Sequence, residues 1–177
     1  MNQCKELLSA IQFAAEKHQN QRRKGKDKFP YINHPIQVAH LLSSISEIDD
    51  TDILCAAILH DTVEDTDTTQ EDIAEYFGDK IAGIVAEVSD DRSLPKPARK
   101  QAQIDHGPHL SFEASMVKLA DKCCNIEDVI TTPPENWDTQ RRRAYLDWAK
   151  QVVNNIRHKD EKLLKKFKSL YEAGLTE

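Results

Sequence analysis

Four titratable side chains follow directly after the most apolar stretch of the sequence. Seven consecutive apolar residues, 53–59, lead into the pair His60-Asp61. Glu64 and Asp65 follow about one helical turn later. If the segment is one helix, these four side chains fall within an arc of roughly 140° on one face. Charged groups beside a buried segment are costly unless they are paired, and a divalent metal ion is the usual partner, so the stretch predicts a metal site.

The element that must position these groups is a central helix over 53–65. A run that is apolar on every side is either a buried helix or a buried strand, and periodicity alone does not separate the two. Its alanines, cysteine and leucines are not the β-branched residues that strands favour, and its polar flanks lengthen the segment. We therefore predict a helix, capped by Asp49, Asp50 or Thr51.

Length and composition indicate a soluble, all-α protein. A chain of 177 residues is long enough for one domain with a sizeable core, so we expect a single compact domain over 1–177. Hydrophobic residues are 39% and charged residues 31%, and helix formers are abundant whereas glycines number only 5. The net charge of −6 does not favour a nucleic-acid binder.

The sequence also predicts a cytoplasmic protein that does not enter a membrane. No stretch reaches the roughly 18 apolar residues of a membrane span, and the N-terminus lacks the apolar region of a signal peptide. The four cysteines show no C-x-x-C spacing, so we expect reduced, mostly buried thiols. The sequence gives no indication of the oligomeric state.

Apolar residues at three- and four-residue steps predict the other helices. The caps include Asn33 or His34 before Pro35, a Thr69–Asp72 capping box and a C-terminal Gly78. The predicted helices span 4–18, a segment from Pro35 to about 45, 71–77, 80–88, 97–103, 112–130, 138–157 and 160–171.

Three polar residues occupy positions that are unusual for their type. His34 stands at a fixed helix start, although a lone histidine there would more often be a cap. Asp121 follows apolar Leu119-Ala120 on the core face of its helix, with Asn125 one turn later on the same side. In isolation, Asp121 would be a structural residue bonded to a neighbour. His18 lies on the apolar stripe of the first helix, and we expect a core histidine with a hydrogen-bonded tip.

Two basic segments could bind phosphates. Five of the eleven residues in 21–31 are arginine or lysine, and Lys96, Arg99 and Lys100 form a second group. Such segments are most simply solvated loops and surface charges. Because the protein is acidic overall, a polyanion clamp would need local basic groups of this kind.

Two histidines and two aspartates, each at the end or on the core face of a predicted helix, together offer the ligands of a metal ion. A mixed nitrogen and oxygen set suits Mn²⁺ or Fe²⁺, with Zn²⁺ also possible and Ca²⁺ a poor fit. Four protein ligands on a metal that prefers six leave positions open for water and substrate. Such a site is catalytic in design, because the metal lowers the pKa of water and polarises a phosphoryl oxygen. The expected ligands are His34, His60, Asp61 and Asp121.

The sequence resembles the HD superfamily of metal-dependent phosphohydrolases. More narrowly, it is similar to the hydrolase domain of RelA/SpoT proteins, above all to its single-domain form in metazoans and in bacterial small alarmone hydrolases. The doublet His60-Asp61 alone is a weak signal, whereas the following set is strong and extends over nearly the whole chain. The matching stretches are H-Q-N-Q-R-R-K, P-Y-I-N-H-P, A-A-I-L-H-D-T-V-E-D-T, S-D-D-R-S-L-P-K and V-K-L-A-D-K-C-C-N.

This resemblance implies an all-helical fold and Mn²⁺-dependent hydrolysis of the 3′-pyrophosphate of guanosine tetra- and pentaphosphate (ppGpp and pppGpp). It makes Glu64 and Asp65 the pair that activates and orients the attacking water. It also implies a set of substrate contacts. Arg23 and Lys24 would hold the nucleotide with Arg23 over the guanine, Lys96 and Arg99 would bind phosphates, and Asn125 and Tyr145 would contact the sugar or its 3′-phosphates.

Two other functions are compatible with the sequence. The same enzyme could act on NADPH, removing its 2′-phosphate, or on another phosphorylated nucleotide, because a basic loop accepts several such ligands. Alternatively, the chain could be a nucleotide sensor without activity. Degenerate sensors usually lose a metal ligand or the Glu64-Asp65 pair, and here all are present. The leading hypothesis is therefore an alarmone hydrolase.

Overall fold

The computed structural model describes residues 3–176, which form an all-helical fold as predicted. Residues 1, 2 and 177 of the expected 1–177 domain lie outside the described residues. Within 3–176 there is no β-strand, and a single isolated bridge joins Arg22 and Pro30. The helices are α1 (Gln3–Lys17), α2 (Asn33–Ile45), α3 (Thr51–Leu59), α4 (Thr62–Asp65), α5 (Gln70–Phe77), α6 (Asp79–Val88), α7 (Lys96–His106), α8 (Phe112–Thr131), α9 (Thr139–Asn155) and α10 (Glu161–Thr176), with a 3₁₀ turn at Gly107–His109.

Helix α3 is the centre of the fold, as the apolar run predicts. It packs against α1, α2, α6 and α8, and Asp50 caps it by accepting hydrogen bonds from the backbone of Asp52 and Ile53 at 2.8 and 3.4 Å. Helix α8 is the second buried element and contacts α2, α6, α9 and α10. One apolar cluster draws on residues from α1 to α10. No helix in the described range combines the length and apolarity that crossing a membrane requires.

The predicted helix over 53–65 is wrong in one respect, because it breaks at His60 and Asp61. The His60 ring donates from Nδ1 to the carbonyl of Ala57 at 2.8 Å, and the Thr62 hydroxyl donates to the carbonyl of Leu59 at 2.7 Å. A continuous helix would use these two carbonyls to accept backbone N–H groups four residues later. The side chains take over these acceptors, α3 ends at Leu59 and the short helix α4 begins at Thr62.

Most of the predicted caps are confirmed, but the start of α2 differs. The Thr69–Asp72 capping box is complete, and Gly78 separates α5 from α6 at φ 84°, a conformation that favours glycine. At α2, neither Asn33 nor His34 is the cap, because the helix already begins at Asn33. The preceding turn provides the acceptors: the Asn33 amide donates to Pro30 at 3.2 Å and the His34 amide to Tyr31 at 2.9 Å.

Gly107 fixes how the end of α9 packs on the turn after α7. A Cβ at this position would lie 2.9 Å from the carbonyl carbon of Asn155 and 3.1 Å from the amide nitrogen of Ile156. Both are backbone atoms that cannot move aside as a side chain can. By contrast, a Cβ on the exposed Gly83 of α6 would meet no atom within 4 Å.

We therefore expect opposite effects from two glycine substitutions. Gly107→Ala should lower the free energy of unfolding by about 1–3 kcal/mol, the usual cost of overpacking. Gly83→Ala, the matched control, should raise it by roughly 0.5–1 kcal/mol, because alanine is the better helix former. Urea unfolding followed by circular dichroism measures both changes. A Gly107→Ala midpoint equal to that of the wild type would contradict the close contact.

Candidate active site

The helix break turns His60 and Asp61 toward the start of α2 and the middle of α8. The carbonyl of Ala57 only accepts, so Nδ1 of His60 carries hydrogen and Nε2 points into the site. His60 Nε2 lies 3.1 Å from Asp61 Oδ2. Helix α2 contributes His34 from its second residue, and the middle of α8 contributes Asp121. All four predicted metal ligands therefore come together, from two helices and the break.

The distances within this metal-ligand cluster suit a single ion. His34 Nε2 lies 3.1 Å from Asp121 Oδ1 and 3.7 Å from Asp61 Oδ2, and His60 Nε2 lies 3.6 Å from Asp121 Oδ1. Ligand atoms of His34, His60 and Asp121 are all within 4.8 Å of one another. Two imidazole nitrogens and two carboxylates can hold a divalent metal ion of the first transition row.

The electrostatics of the cluster also favour a cation between these side chains. Burial disfavours the charged form of His60, but the carboxylates of Asp61 and Asp121 outweigh it and raise the His60 pKa to about 10. At His34 burial dominates and lowers the pKa. His60 Nε2 is buried and makes no hydrogen bond with any described group. A buried nitrogen aimed at two carboxylates without a hydrogen bond fits a metal ligand better than a structural histidine.

Neighbouring side chains hold the carboxylates of Asp61 and Asp121 in place. The Tyr31 hydroxyl donates to Asp61 Oδ2 at 2.6 Å. Lys122 Nζ donates to Asp121 Oδ2 at 2.9 Å, and Asn125 Nδ2 donates to Asp121 Oδ1 at 2.5 Å. Burial opposes ionisation of Asp121, but Lys122 together with His34 and His60 outweighs it and keeps the Asp121 pKa well below its usual value. Such outer contacts orient metal ligands and tune their charge.

The two acids of α4 lie in the same cleft but are held differently. Asp65 accepts from Gln21 Nε2 at 2.7 Å and also from Arg92, which lies in the segment between α6 and α7. Glu64 accepts a single, longer bond from the residues in 3–176, 3.3 Å from the backbone amide of Asp90. Burial and the nearby carboxylates, Asp90 first among them, raise the pKa of Glu64 to about 7. Glu64 is thus suited to take up a proton near neutral pH.

A cleft of about 740 Å³ opens in front of the metal-ligand cluster and the two acids. One side is strongly basic and aromatic. Arg23 is already engaged, since it pairs with Asp128 at 2.6 Å, donates to Asn125 at 3.0 Å and packs 5.3 Å from the ring centre of Tyr31. The predicted substrate contacts Arg23, Lys24, Lys96, Arg99, Asn125 and Tyr145 all line this cleft.

The cleft also contains residues that the sequence reasoning did not select. Trp148 lies between two ammonium groups, with Lys100 Nζ 4.5 Å and Lys122 Nζ 4.8 Å from its ring centre, and its Nε1 donates to the Lys100 carbonyl at 3.0 Å. In the sequence, Trp148 and Lys122 have the helical spacing of ordinary packing residues, so only the folded chain brings them together with Lys100. The further lining residues missed are Gln21, Tyr31, Arg92, Lys118, Lys122, Trp137, Arg141 and Trp148.

Fold and site together define the class of protein: an all-helical chain with a histidine–aspartate centre at the base of a cleft. A family model described as the HD domain matches residues 10–150. The chain therefore belongs to the HD domain family.

More specific comparisons narrow this family. The chain is 49% identical over 170 residues to the guanosine-3′,5′-bis(diphosphate) 3′-pyrophosphohydrolase MESH1 of Danio rerio, covering 96% of this chain and 94% of that protein. It is 45% identical over 176 residues to the MESH1 of Homo sapiens, covering 99% and 98%. A solved structure described as a metazoan orthologue of SpoT that hydrolyses ppGpp superposes with a TM-score of 0.92 at 42% identity, covering 94% of each chain.

The geometry of the cluster predicts that it binds a divalent ion in solution. Saturating Mn²⁺ should raise the melting temperature of the wild type by roughly 5–10 °C, as expected for a ligand at about 100 times its Kd. His34→Ala removes a ligand and should abolish this rise relative to the metal-free variant. His40→Ala, an exposed histidine on the same helix, is the matched control and should keep it. A full rise in His34→Ala would contradict the assigned site.

Proposed function

We propose that this protein hydrolyses the 3′-pyrophosphate of guanosine tetra- and pentaphosphate, releasing GDP or GTP and pyrophosphate. The observation that carries the proposal is the joint presence of the metal-ligand cluster and the intact Glu64-Asp65 pair in one basic cleft. The names of the relatives support it, since the MESH1 proteins compared above are called 3′-pyrophosphohydrolases of this nucleotide. We infer also that residues 1–177 form one domain.

The proposed ligands of the ion are His34, His60, Asp61 and Asp121. When bound, a divalent ion supplies Lewis-acid chemistry: it polarises a phosphoryl oxygen and makes water more acidic. Manganese is the preferred ion for a mixed nitrogen and oxygen set of this kind, with Fe²⁺ or Zn²⁺ as alternatives. The preference rests on donor chemistry and on the resemblance to RelA/SpoT hydrolases.

The reaction proper is a displacement at phosphorus. Glu64 accepts a proton from water, whose oxygen attacks the phosphorus bonded to the 3′-oxygen, while Asp65 orients that water. The bond between this phosphorus and the 3′-oxygen breaks, and the pyrophosphate leaves with the oxygen of the attacking water. The proton that Glu64 took from water returns to the 3′-oxygen by way of solvent. Positioning and neutralisation of charge contribute more to such a transfer than covalent catalysis does.

The basic side of the cleft would bind the nucleotide. Lys96 and Arg99 lie on α7 and face the cleft, and the Arg99 Nε is buried without a hydrogen bond to any residue in 3–176. These two groups are assigned to phosphates. Arg23 and Lys24 are assigned to the base and nucleotide, and Arg23 is a suitable stacking group because a guanidinium is planar. Asn125 and Tyr145 are assigned to the sugar or its 3′-phosphates.

We also propose a cytoplasmic location. The basis is the state of the cysteines. Cys55, Cys123 and Cys124 are buried thiols rather than disulfides, and burial raises the pKa of Cys55 and of Cys123 to about 12, so both stay protonated. Thiols of this kind are typical of a reducing compartment.

A product assay tests the substrate, the bond and the ion together. Purified protein with guanosine tetraphosphate and Mn²⁺ should give GDP and pyrophosphate on ion exchange, and EDTA should abolish both. Glu64→Gln should lower kcat roughly 10²- to 10⁴-fold, the usual contribution of a general base. The exposed Glu71→Gln is the matched control and should retain full turnover.

Other outcomes of the same assay favour the alternatives. Faster release of phosphate from NADPH than of pyrophosphate from the alarmone would move the assignment to a 2′-phosphatase. Tight binding of nucleotide with Mn²⁺ but no product would favour a sensor.

A further inference from the structure

A short chain of hydrogen bonds runs from buried His18 through Gln21 to Asp65 of the acid pair. His18, just after α1, is only 2% exposed, and its Nδ1 lies 2.7 Å from Gln21 Oε1. Gln21 Nε2 in turn donates to Asp65 Oδ2 at 2.7 Å. Both residues belong to the stretch H-Q-N-Q, which neither the metal-ligand cluster nor the basic side of the cleft uses.

Because the Asp65 carboxylate only accepts hydrogen bonds, it determines which group donates at each step from His18 to Asp65. An ionised carboxylate only accepts, so Gln21 must present its amide nitrogen to Asp65. The amide oxygen of Gln21 then faces His18, which requires a hydrogen on Nδ1 of the ring. If the Gln21 amide were flipped, its oxygen would lie 2.7 Å from the Asp65 carboxylate. If Nδ1 of His18 carried no hydrogen, it would lie as a second acceptor 2.7 Å from the Gln21 oxygen. A single arrangement of donors explains both short distances.

Both oxygens of Asp65 are held in this way. Arg92 Nη2 donates to Oδ1 while Gln21 donates to Oδ2. Glu64 is not held comparably, because its Oε1 lies 4.0 Å from Arg92 Nε and its Oε2 accepts at 3.3 Å from the Asp90 amide. Asp65 is thus fixed by two side chains, whereas Glu64 is free to approach a water molecule.

We propose that His18 and Gln21 are positioning residues of the hydrolytic reaction, which hold Asp65 as an oriented anion so that it directs the attacking water toward Glu64. This rests on the function proposed above. In this role His18 acts through Gln21, and Gln21 acts through Asp65. They are not needed to shape the backbone here, because the Gln21 amide donates to the His18 carbonyl at 2.9 Å and the Tyr31 amide to the Gln21 carbonyl at 3.1 Å. Side-chain variants keep both bonds.

Substitutions at Gln21 give the kinetic test. Gln21→Ala should lower kcat on guanosine tetraphosphate with Mn²⁺ by roughly 10- to 100-fold, as the loss of an orienting contact usually does, and leave KM unchanged. Gln21→Glu should lose more, because it places a second carboxylate against Asp65. Gln19→Ala, an exposed neighbour, should behave as the wild type. Wild-type kcat in Gln21→Ala, or a rise in KM that accounts for the whole loss, would overturn the proposal.

Comparing His18→Asn with His18→Ala distinguishes a positioning role of His18 from a role in packing alone. Asparagine can place its amide N–H where the histidine has Nδ1–H, so His18→Asn should keep most of kcat whereas His18→Ala should lose it. Melting temperatures measured in parallel show the effect on stability. If both variants lost kcat equally, with the loss following the melting temperature, His18 would be a packing residue and the proposal would fail.

A measurement without substrate makes the test independent of the proposed function. In metal-free protein, ¹⁵N resonances of the His18 ring should show hydrogen on Nδ1, and Gln21→Ala should shift the ring toward the ordinary Nε2–H tautomer. An Nε2–H tautomer in the wild type would overturn the chain outright. If the wild type turned over no alarmone, the proposed function would fail, while this spectrum would still decide whether Gln21 orients His18.

Discussion

The structure depends on the cost of burying two histidines and two aspartates at the end of an apolar helix. Ionised groups in the interior destabilise a fold unless opposite charge and hydrogen bonds compensate them. Here the compensation starts with the backbone. Because α3 ends at Leu59, His60 and Asp61 do not continue that helix, and α2 and α8 can bring His34 and Asp121 against them. The central helix α3 contributes buried apolar residues to the core, and the polar site begins where this helix ends.

Around this centre the charges are divided between two sides of one cleft. Carboxylates gather at the base, and cations and aromatic rings gather on the side formed largely by α7 and α9. Lys100 illustrates the excess of positive charge on this side. Burial and the nearby Lys96, Lys122 and Arg141 lower its pKa, and it forms no ion pair within 3–176. A ligand with several phosphates would neutralise the cations while its scissile phosphate meets the metal. An acidic protein can thus attract a polyanion through local charge.

Much of this architecture could be predicted from the sequence, because its signals are local. The apolar run 53–59, the capping box at Thr69 and the cysteines without C-x-x-C spacing each depend on neighbours in the chain. The break at His60 was missed because it depends on side chains that capture backbone carbonyls, which periodicity does not reveal. Trp148 and Lys122 were missed for a different reason: the packing of α7, α8 and α9 brings them together with Lys100, and each alone resembles an ordinary helix residue.

The most direct test of the central claim is the position of the metal. Crystals grown with Mn²⁺ and measured at a wavelength with strong manganese anomalous scattering would show the ion independently of any assay. The account predicts one strong peak enclosed by His34, His60, Asp61 and Asp121, about 2 Å from their ligand atoms. The absence of a peak there, or a peak bound only by Glu64 and Asp65, would contradict it.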